Sequence, residues 1–143
     1  MEKRESTISS LRFINYIVNE VKFKSNRVKN DERVWKLTFD IKNSTKINKE
    51  RNKMEIILRV NVFKGQEESP FDMEVELIGF FELDGEDDIT RYEANAIAIM
   101  YPYLRAIVST YTASANVSPV ILPAINVNAM LKRRKGEDNK EEN

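Results

Sequence analysis

Four stretches of the chain alternate apolar and polar residues with a period of two, which is the pattern of strands that bury one face. The first stretch runs from 11 to 23, and its apolar odd positions are interrupted by two amides, Asn15 and Asn19. Ile14, Tyr16 and Val18 are apolar too, so the middle of this strand is predicted to be covered on both faces. The other three run from 35 to 41, from 54 to 62 and, after the turn GQEESP, from 71 to 83. These stretches predict four antiparallel strands.

After DGEDD (84–88) the apolar spacing changes to three and four, which predicts one long helix capped at its start by Asp88 or Thr90. Its apolar stripe comprises Ile89, Tyr92, Ala96, Ile99, Met100, Tyr103, Leu104, Ile107, Val108 and Tyr111. Its opposite face is small, with Ala94, Ala98, Ala106, Ser109 and Thr110. Pro102 lies inside the stripe, where it costs about 3 kcal/mol of helix stability. A helix with these two faces can pack on both sides, one against its own sheet and one against another helix.

The segment from 114 to 124 contains two prolines and several apolar residues, and it is predicted to be an extended connector. Asn126 or Asn128 is expected to cap a short second helix that ends near residue 135. The polar tail from 136 to 143 is predicted to be disordered. The chain therefore divides into one domain over residues 1–135 and a short tail.

Four strands followed by two helices indicate an α+β fold, a four-stranded antiparallel sheet with a long helix and a short C-terminal helix. The strands present more apolar surface than one long helix can cover. Self-association with closed symmetry is the expected way to bury the surplus.

The composition excludes several kinds of chemistry. The chain has neither cysteine nor histidine, so disulfides, thiol nucleophiles and the commonest metal ligand are absent, and no metal, cofactor or catalytic group is predicted. Lysine plus arginine (23) balances aspartate plus glutamate (23), which gives no overall field for nucleic acid. No apolar run is long enough to span a bilayer and no signal peptide is evident, so a cytoplasmic location is expected.

Three motifs, in their order and spacing, resemble the SecB and SecB-like export chaperones from about residue 11 to residue 131. They are PFDMEVELIGFFEL (70–83), YPYLR (101–105) inside the long helix, and PVILPAINVNAML (119–131). The resemblance implies a homotetramer, a dimer of dimers, with the long helices between two sheets. The implied interface residues are Ala94, Ala98, Tyr101, Arg105, Ala106 and Ser109.

The resemblance also implies ATP-independent holding of unfolded or precursor polypeptides, which withdraws them from aggregation. Carried onto this sequence, the client-binding residues are Trp35, Leu37, Phe39, Val117, Val120, Ile121, Val127, Met130 and Leu131. The alternative for each of them is a place in the core or in a subunit interface.

Members of the family also present acidic residues on the sheet to the translocation ATPase SecA. Glu20 and Glu74 match those positions, but Lys24 stands where a second acidic residue is expected and Asp72 where an apolar one is expected. These departures keep a second reading open, in which a SecB-like chaperone serves the antitoxin of a toxin–antitoxin system.

Alternatives from other classes have less support. A hot-dog-like enzyme would need an acidic base near the long helix, where Glu93 is the single candidate. The basic run 132–135 resembles a phosphate contact, but acidic residues follow it directly and no aromatic residue is interleaved for base stacking. A structural oligomer without clients would differ from a chaperone only in the accessibility of its connector.

Overall fold

The computed structural model describes residues 10–28, 35–66 and 68–141, with side chains up to residue 136. Its elements are β1 (Leu11–Ser25), β2 (Phe39–Ile47), β3 (Lys53–Val62), β4 (Phe71–Leu83), a 3-10 turn (Ile89–Tyr92), α1 (Glu93–Ser114) and α2 (Val127–Glu141). The strands form one sheet in the order β1-β4-β3-β2, and every neighbouring pair is antiparallel. The predicted α+β fold is confirmed.

Strand β2 begins four residues later than predicted and continues six residues further, to Ile47. It pairs with β3 from Phe39 opposite Val62 to Ile47 opposite Met54. Asn43 and Thr45 occupy the alternate positions that continue from Phe39, so polar residues interrupt the apolar pattern that the prediction followed. The prediction of a strand from residue 35 was wrong, because 35–38 lies outside the sheet.

Strand β1 departs from simple alternation because its pairing with β4 contains two register shifts, between Phe13 and Asn15 and between Val18 and Glu20. Each shift places an extra residue in β1 and changes which positions face the core. Tyr16, at an even position, therefore packs against the core, whereas Ile17 is exposed. The predicted face of odd positions therefore holds at Phe13, Val21 and Phe23 but not in the middle of the strand, where Ile14 and Val18 are also exposed in the single chain.

The core lies between one face of the sheet and α1, and the two approach closely at Gly79. A Cβ atom on Gly79 would lie 2.6 Å from Met100 Sδ and 2.9 Å from Met100 Cε. Met100 itself is fully buried. Glycine at this position of β4 therefore lets α1 approach the sheet at a distance that a side chain would prevent.

The buried face of α1 is rotated slightly from the predicted stripe. Ala96, Met100, Leu104 and Val108 are buried as predicted, and Ile97 and Tyr101 join them. Tyr103 and Tyr111 stay partly exposed at the edge of the helix. The ring of Tyr103 lies 4.7 Å from that of Tyr16, and the ring of Tyr111 lies 5.5 Å from that of Phe23. Aromatic residues of β1 thus pack against this edge of the helix.

Helix α1 continues through Pro102, whose ring is exposed. The residues on either side of it, Met100, Tyr101 and Leu104, are buried against the sheet and the following chain. Burial of large side chains is worth about 1.5–3 kcal/mol each, so it offsets the cost of one proline in the helix.

The start of the helical region is joined to the β2–β3 turn through Asp88. Its carboxylate accepts hydrogen bonds from the Thr90 backbone N–H at 2.9 Å and from Arg51 Nε at 2.8 Å. The Thr90 hydroxyl, then the Thr90 N–H, then Arg51 lower the pKa of Asp88 from 3.8 to about 2. Asp88, one of the two residues predicted to cap the long helix, therefore caps the 3-10 turn that precedes it, whereas α1 begins after Tyr92 without a side-chain cap.

Helix α2 is longer than predicted. Asn126 caps it as expected, since its side-chain oxygen accepts from the Ala129 N–H at 3.0 Å. The helix continues past Gly136 to Glu141, whereas disorder was predicted from residue 136; residues 142 and 143 lie outside the described part. Once a helix is nucleated, each further residue adds a hydrogen bond at little cost, which explains the extension. Neither described helix has the length and apolar character needed to cross a membrane.

We expect Gly79→Ala to lower the free energy of unfolding by about 1–3 kcal/mol, because the new methyl group overlaps the Met100 side chain. Met100→Ala alone should cost about 2–5 kcal/mol by leaving a cavity. In the double variant the methyl group added at position 79 occupies part of that cavity, so the combined loss should be smaller than the sum. Urea unfolding of the four proteins measures this coupling, and strictly additive losses would contradict the close approach.

We also expect Asp88→Asn, which keeps an acceptor for the cap, to show a pH-dependent loss of stability. The pKa of Asp88 is lowered in the folded state, so its charge stabilises the fold above its ordinary pKa of 3.8. That contribution should disappear as pH falls from 3.8 to about 2. Urea midpoints of the two proteins should differ at neutral pH and converge in acid. Glu86→Gln in the same loop is the control; a constant difference at all pH values would contradict the assignment.

Candidate functional site

The connector, residues 115–126, is held against α1 by side chains of the helix. Thr112 Oγ1 accepts the Val120 N–H at 2.9 Å, and Ser109 Oγ donates to the Val120 carbonyl at 2.8 Å. The Tyr101 hydroxyl donates to the Pro123 carbonyl, and burial raises the pKa of Tyr101, which keeps the phenol protonated as a donor. These contacts fix the connector backbone without any strand partner.

The hydrogen bonds decide which connector side chains face solvent. Val120 is 8% exposed and Leu122 is fully buried, while Ile121 between them is 69% exposed. Of the two neighbouring residues predicted to bind clients, the structure therefore places Val120 inside and Ile121 outside. Val117, nearer the end of α1, is half-buried against the core.

The remaining predicted client-binding residues lie before and at the start of β2 and on the first turns of α2. They are half-buried and pack against the same core: Trp35, Leu37, Phe39, Val127, Met130 and Leu131. Arg133 lies 3.6 Å from Asp40, so α2 is brought beside the start of β2. We call these six residues, together with Val117 and Ile121, the candidate surface.

Helix α2 is anchored to the start of α1 by an ion pair that the sequence analysis did not identify. Arg134 Nη2 and Nη1 donate to Glu93 Oε1 and Oε2 at 3.1 and 3.3 Å, a two-bond geometry that is strong for an ion pair. The two side chains are only 26% and 13% exposed. The carboxylate considered above as an enzymatic base is therefore occupied. The sequence contained one signal for this ion pair, which is that Glu93 is the single acidic residue of the predicted helix.

The outer face of the sheet, opposite α1, carries the two carboxylates that match the translocation-ATPase contacts. Glu20 Oε1 lies 3.1 Å from Lys22 Nζ, and Glu74 Oε1 lies 3.1 Å from Arg59 Nε. Both carboxylates are thus paired with cations of the same chain. The face carries pairs of opposite charge where the resemblance implied an acidic surface.

The same network includes Glu76, a nearly buried carboxylate on the outer face. Hydrogen bonds from Asn19 and then Arg59 lower its pKa, so it stays ionised beside its partners. Lys24 lies directly opposite Asp72 in the register of β1 and β4. The two residues that depart from the family pattern are therefore cross-strand neighbours of opposite charge.

The residues predicted to form a subunit interface fall into two groups. Tyr101 and Ser109 contact the connector of their own chain, as described above. Ala98 and Ala106 are exposed, and Ala94 and Arg105 are partly exposed, on the sides of α1 that the sheet leaves uncovered.

The sheet, the long helix and the connector fixed to it define an α+β protein. The SecB family, described as preprotein translocase subunit SecB, matches residues 13–138, and the chain belongs to this family. Its members are chaperones and not enzymes, which confirms both the predicted resemblance and the prediction that the chain is not an enzyme.

Three relatives illustrate the range of the family. An uncharacterised protein of Methanocaldococcus jannaschii is 39% identical over 140 residues, which cover 94% of this chain and 89% of that protein. The protein-export protein SecB of Anaplasma phagocytophilum is 25% identical over 91 residues, 59% of this chain and 58% of that protein. The SecB-like chaperone of Mycobacterium tuberculosis, solved in complex with a peptide from the HigA1 antitoxin, has the same fold. Its TM-score is 0.61 at 15% identity, over 81% of this chain and 91% of that one.

We expect Thr112→Val to destabilise the protein by about 1–3 kcal/mol, because it leaves the buried Val120 N–H without an acceptor while keeping the side-chain shape. Urea unfolding measures the loss, and hydrogen exchange of the Val120 amide should become faster. Thr110→Val, on the exposed side of the same helix, is the matched control. Equal effects of the two substitutions would show that Thr112 does not hold the connector.

Proposed function

We propose that this protein is an ATP-independent holdase that binds unfolded polypeptides in the cytoplasm through the candidate surface. The observation that carries the proposal is the outward position of Ile121, a large apolar side chain fixed on the connector between two buried neighbours. An exposed apolar side chain beside other half-buried ones suits contact with apolar segments of a client. A protein that binds unfolded chains preferentially keeps them from aggregation by mass action.

The client contacts in this proposal are the residues of the candidate surface. Val120 has a different part, since its backbone is bound to Ser109 and Thr112 and its side chain packs inward. It holds Ile121 in the exposed position. Met130 adds a flexible side chain that adapts to clients of different shape.

We further propose a homotetramer, built as a dimer of dimers. Strand β1 is an edge strand of fifteen residues, and it exposes Ile14, Ile17 and Val18. Long edge strands with exposed apolar residues favour pairing with another chain. The small residues Ala98 and Ala106 on the uncovered side of α1 allow a second helix to approach closely.

Two client roles are compatible with this surface: holding precursors for export, and service to one antitoxin. An export role includes docking on SecA through Glu20 and Glu74, and a docking partner must then displace Lys22 and Arg59 from them. The second role does not need that displacement. The pairing of the outer-face carboxylates therefore favours the second role, which the peptide complex of the Mycobacterium tuberculosis relative illustrates.

We expect this protein, without nucleotide, to suppress light scattering when a chemically unfolded protein is diluted into buffer. Ile121→Asp should lose most of that suppression, because a charge replaces the exposed apolar side chain. Ser118→Asp, at an exposed position of the same connector, places the same charge without removing apolar surface and should retain it.

Light scattering of the purified proteins should give the mass of four chains for all three, which separates client binding from assembly. Full suppression by Ile121→Asp would place the client contact away from the connector. Absence of suppression by the unaltered protein, tested with both an export precursor and an antitoxin, would overturn the proposal.

A further inference from the structure

Six basic residues belong to the segments that carry or border the candidate surface. They are Lys36 before β2, Lys42 on it, Lys64 after β3, and Lys132, Arg133 and Lys135 on α2. Asp40 faces two of them, with Lys42 Nζ at 3.9 Å and Arg133 Nη2 at 3.6 Å. Because the whole chain has equal numbers of basic and acidic residues, this is a local excess of positive charge.

A cavity of about 330 Å³ between β2 and β3 forms one side of this basic region. Its lining consists of Thr38, Phe39, Asp40, Lys42, Asn61 and Lys64. Lys64 forms no ion pair with any residue that the structure describes. Phe39 belongs to both the cavity and the candidate surface, so the two adjoin.

Asn61 contributes a second feature of the cavity lining. Its Oδ1 atom is buried and accepts no hydrogen bond within the described chain. With no accessible surface, this atom cannot contact a client, and the cavity instead offers the ammonium groups of Lys42 and Lys64 to carboxylates.

Helix α2 forms the other side of the basic region. Met130 and Leu131 pack against the core, and the basic run begins at the next residue. Within the described residues, Lys132 and Lys135 have no ion-pair partner. The contact between Arg133 and Asp40 holds this run beside the start of β2. Apolar and cationic side chains are thus interleaved on this side of the basic region.

We propose that the candidate surface prefers client segments in which apolar residues are interspersed with aspartate and glutamate. This inference rests on the proposed holdase function and specifies its clients. Charge complementarity between the basic region and the client carboxylates attracts such segments and discriminates against basic ones. A polypeptide fits better than a nucleic acid, because apolar side chains separate the cations.

The test uses two fluorescein-labelled peptides with the same apolar residues, one carrying Asp and Glu between them and the other Lys and Arg. Fluorescence anisotropy with the full-length protein should show about tenfold tighter binding of the acidic peptide, and the difference should shrink as sodium chloride screens the charges. The double substitution Lys42→Glu, Lys64→Glu should abolish the preference. Lys42→Gln, Lys64→Gln should reduce it without placing a new carboxylate beside Asp40.

Lys49→Glu is the matched control, because Lys49 is exposed in the turn at the far end of β2. It should leave the preference unchanged. Equal affinities of the unaltered protein for both peptides would overturn the inference and leave the holdase function standing. Failure to bind either peptide, together with failure to suppress aggregation, would overturn both. A single-stranded oligonucleotide and an unlabelled acidic peptide are then compared as competitors. If the oligonucleotide displaces the labelled acidic peptide more effectively, the basic region binds nucleic acid and the inference is overturned.

Discussion

The close approach of α1 to the sheet at Gly79 is the contact on which the remaining structure depends. It fixes the depth of the helix on β4, with Met100 directly over the glycine. From this position α1 directs Thr112 and Ser109 toward the connector and Glu93 toward α2. The sheet therefore positions the candidate surface through α1, because the connector and α2, which carry its later residues, are both bound to that helix.

Polar contacts, and not apolar area, determine which side of the connector faces out. An extended segment without a strand partner must satisfy its backbone groups elsewhere, since unpaired buried groups are costly. Thr112 and Ser109 satisfy both groups of Val120, and this turns Ile121 to solvent. Burying Ile121 in place of Val120 would leave those helix side chains without their partners. Hydrogen bonding thus maintains an exposed apolar residue that the hydrophobic effect alone would bury.

The class and order of the elements followed from the sequence because alternation and helical spacing are local properties. The register of β1 did not, since its bulges arise from pairing with β4, and β2 was misplaced because Asn43 and Thr45 continue its inward-facing positions. In the candidate site, the connector was recognisable as an apolar segment without a regular period. The exposure of Ile121 and the pair between Arg134 and Glu93 depend on contacts across the folded chain, which one sequence does not contain.

The equal totals of acidic and basic residues conceal two different arrangements. On the outer face of the sheet, oppositely charged side chains on neighbouring strands lie within reach of one another, and Arg59 serves both Glu74 and Glu76. Charges paired in this way create little field beyond the surface. At the edge strand β2, by contrast, Asp40 faces both Lys42 of the same strand and Arg133 of α2. The proposed preference for acidic clients depends on this arrangement, so net charge alone is a poor guide to where this chain meets a charged partner.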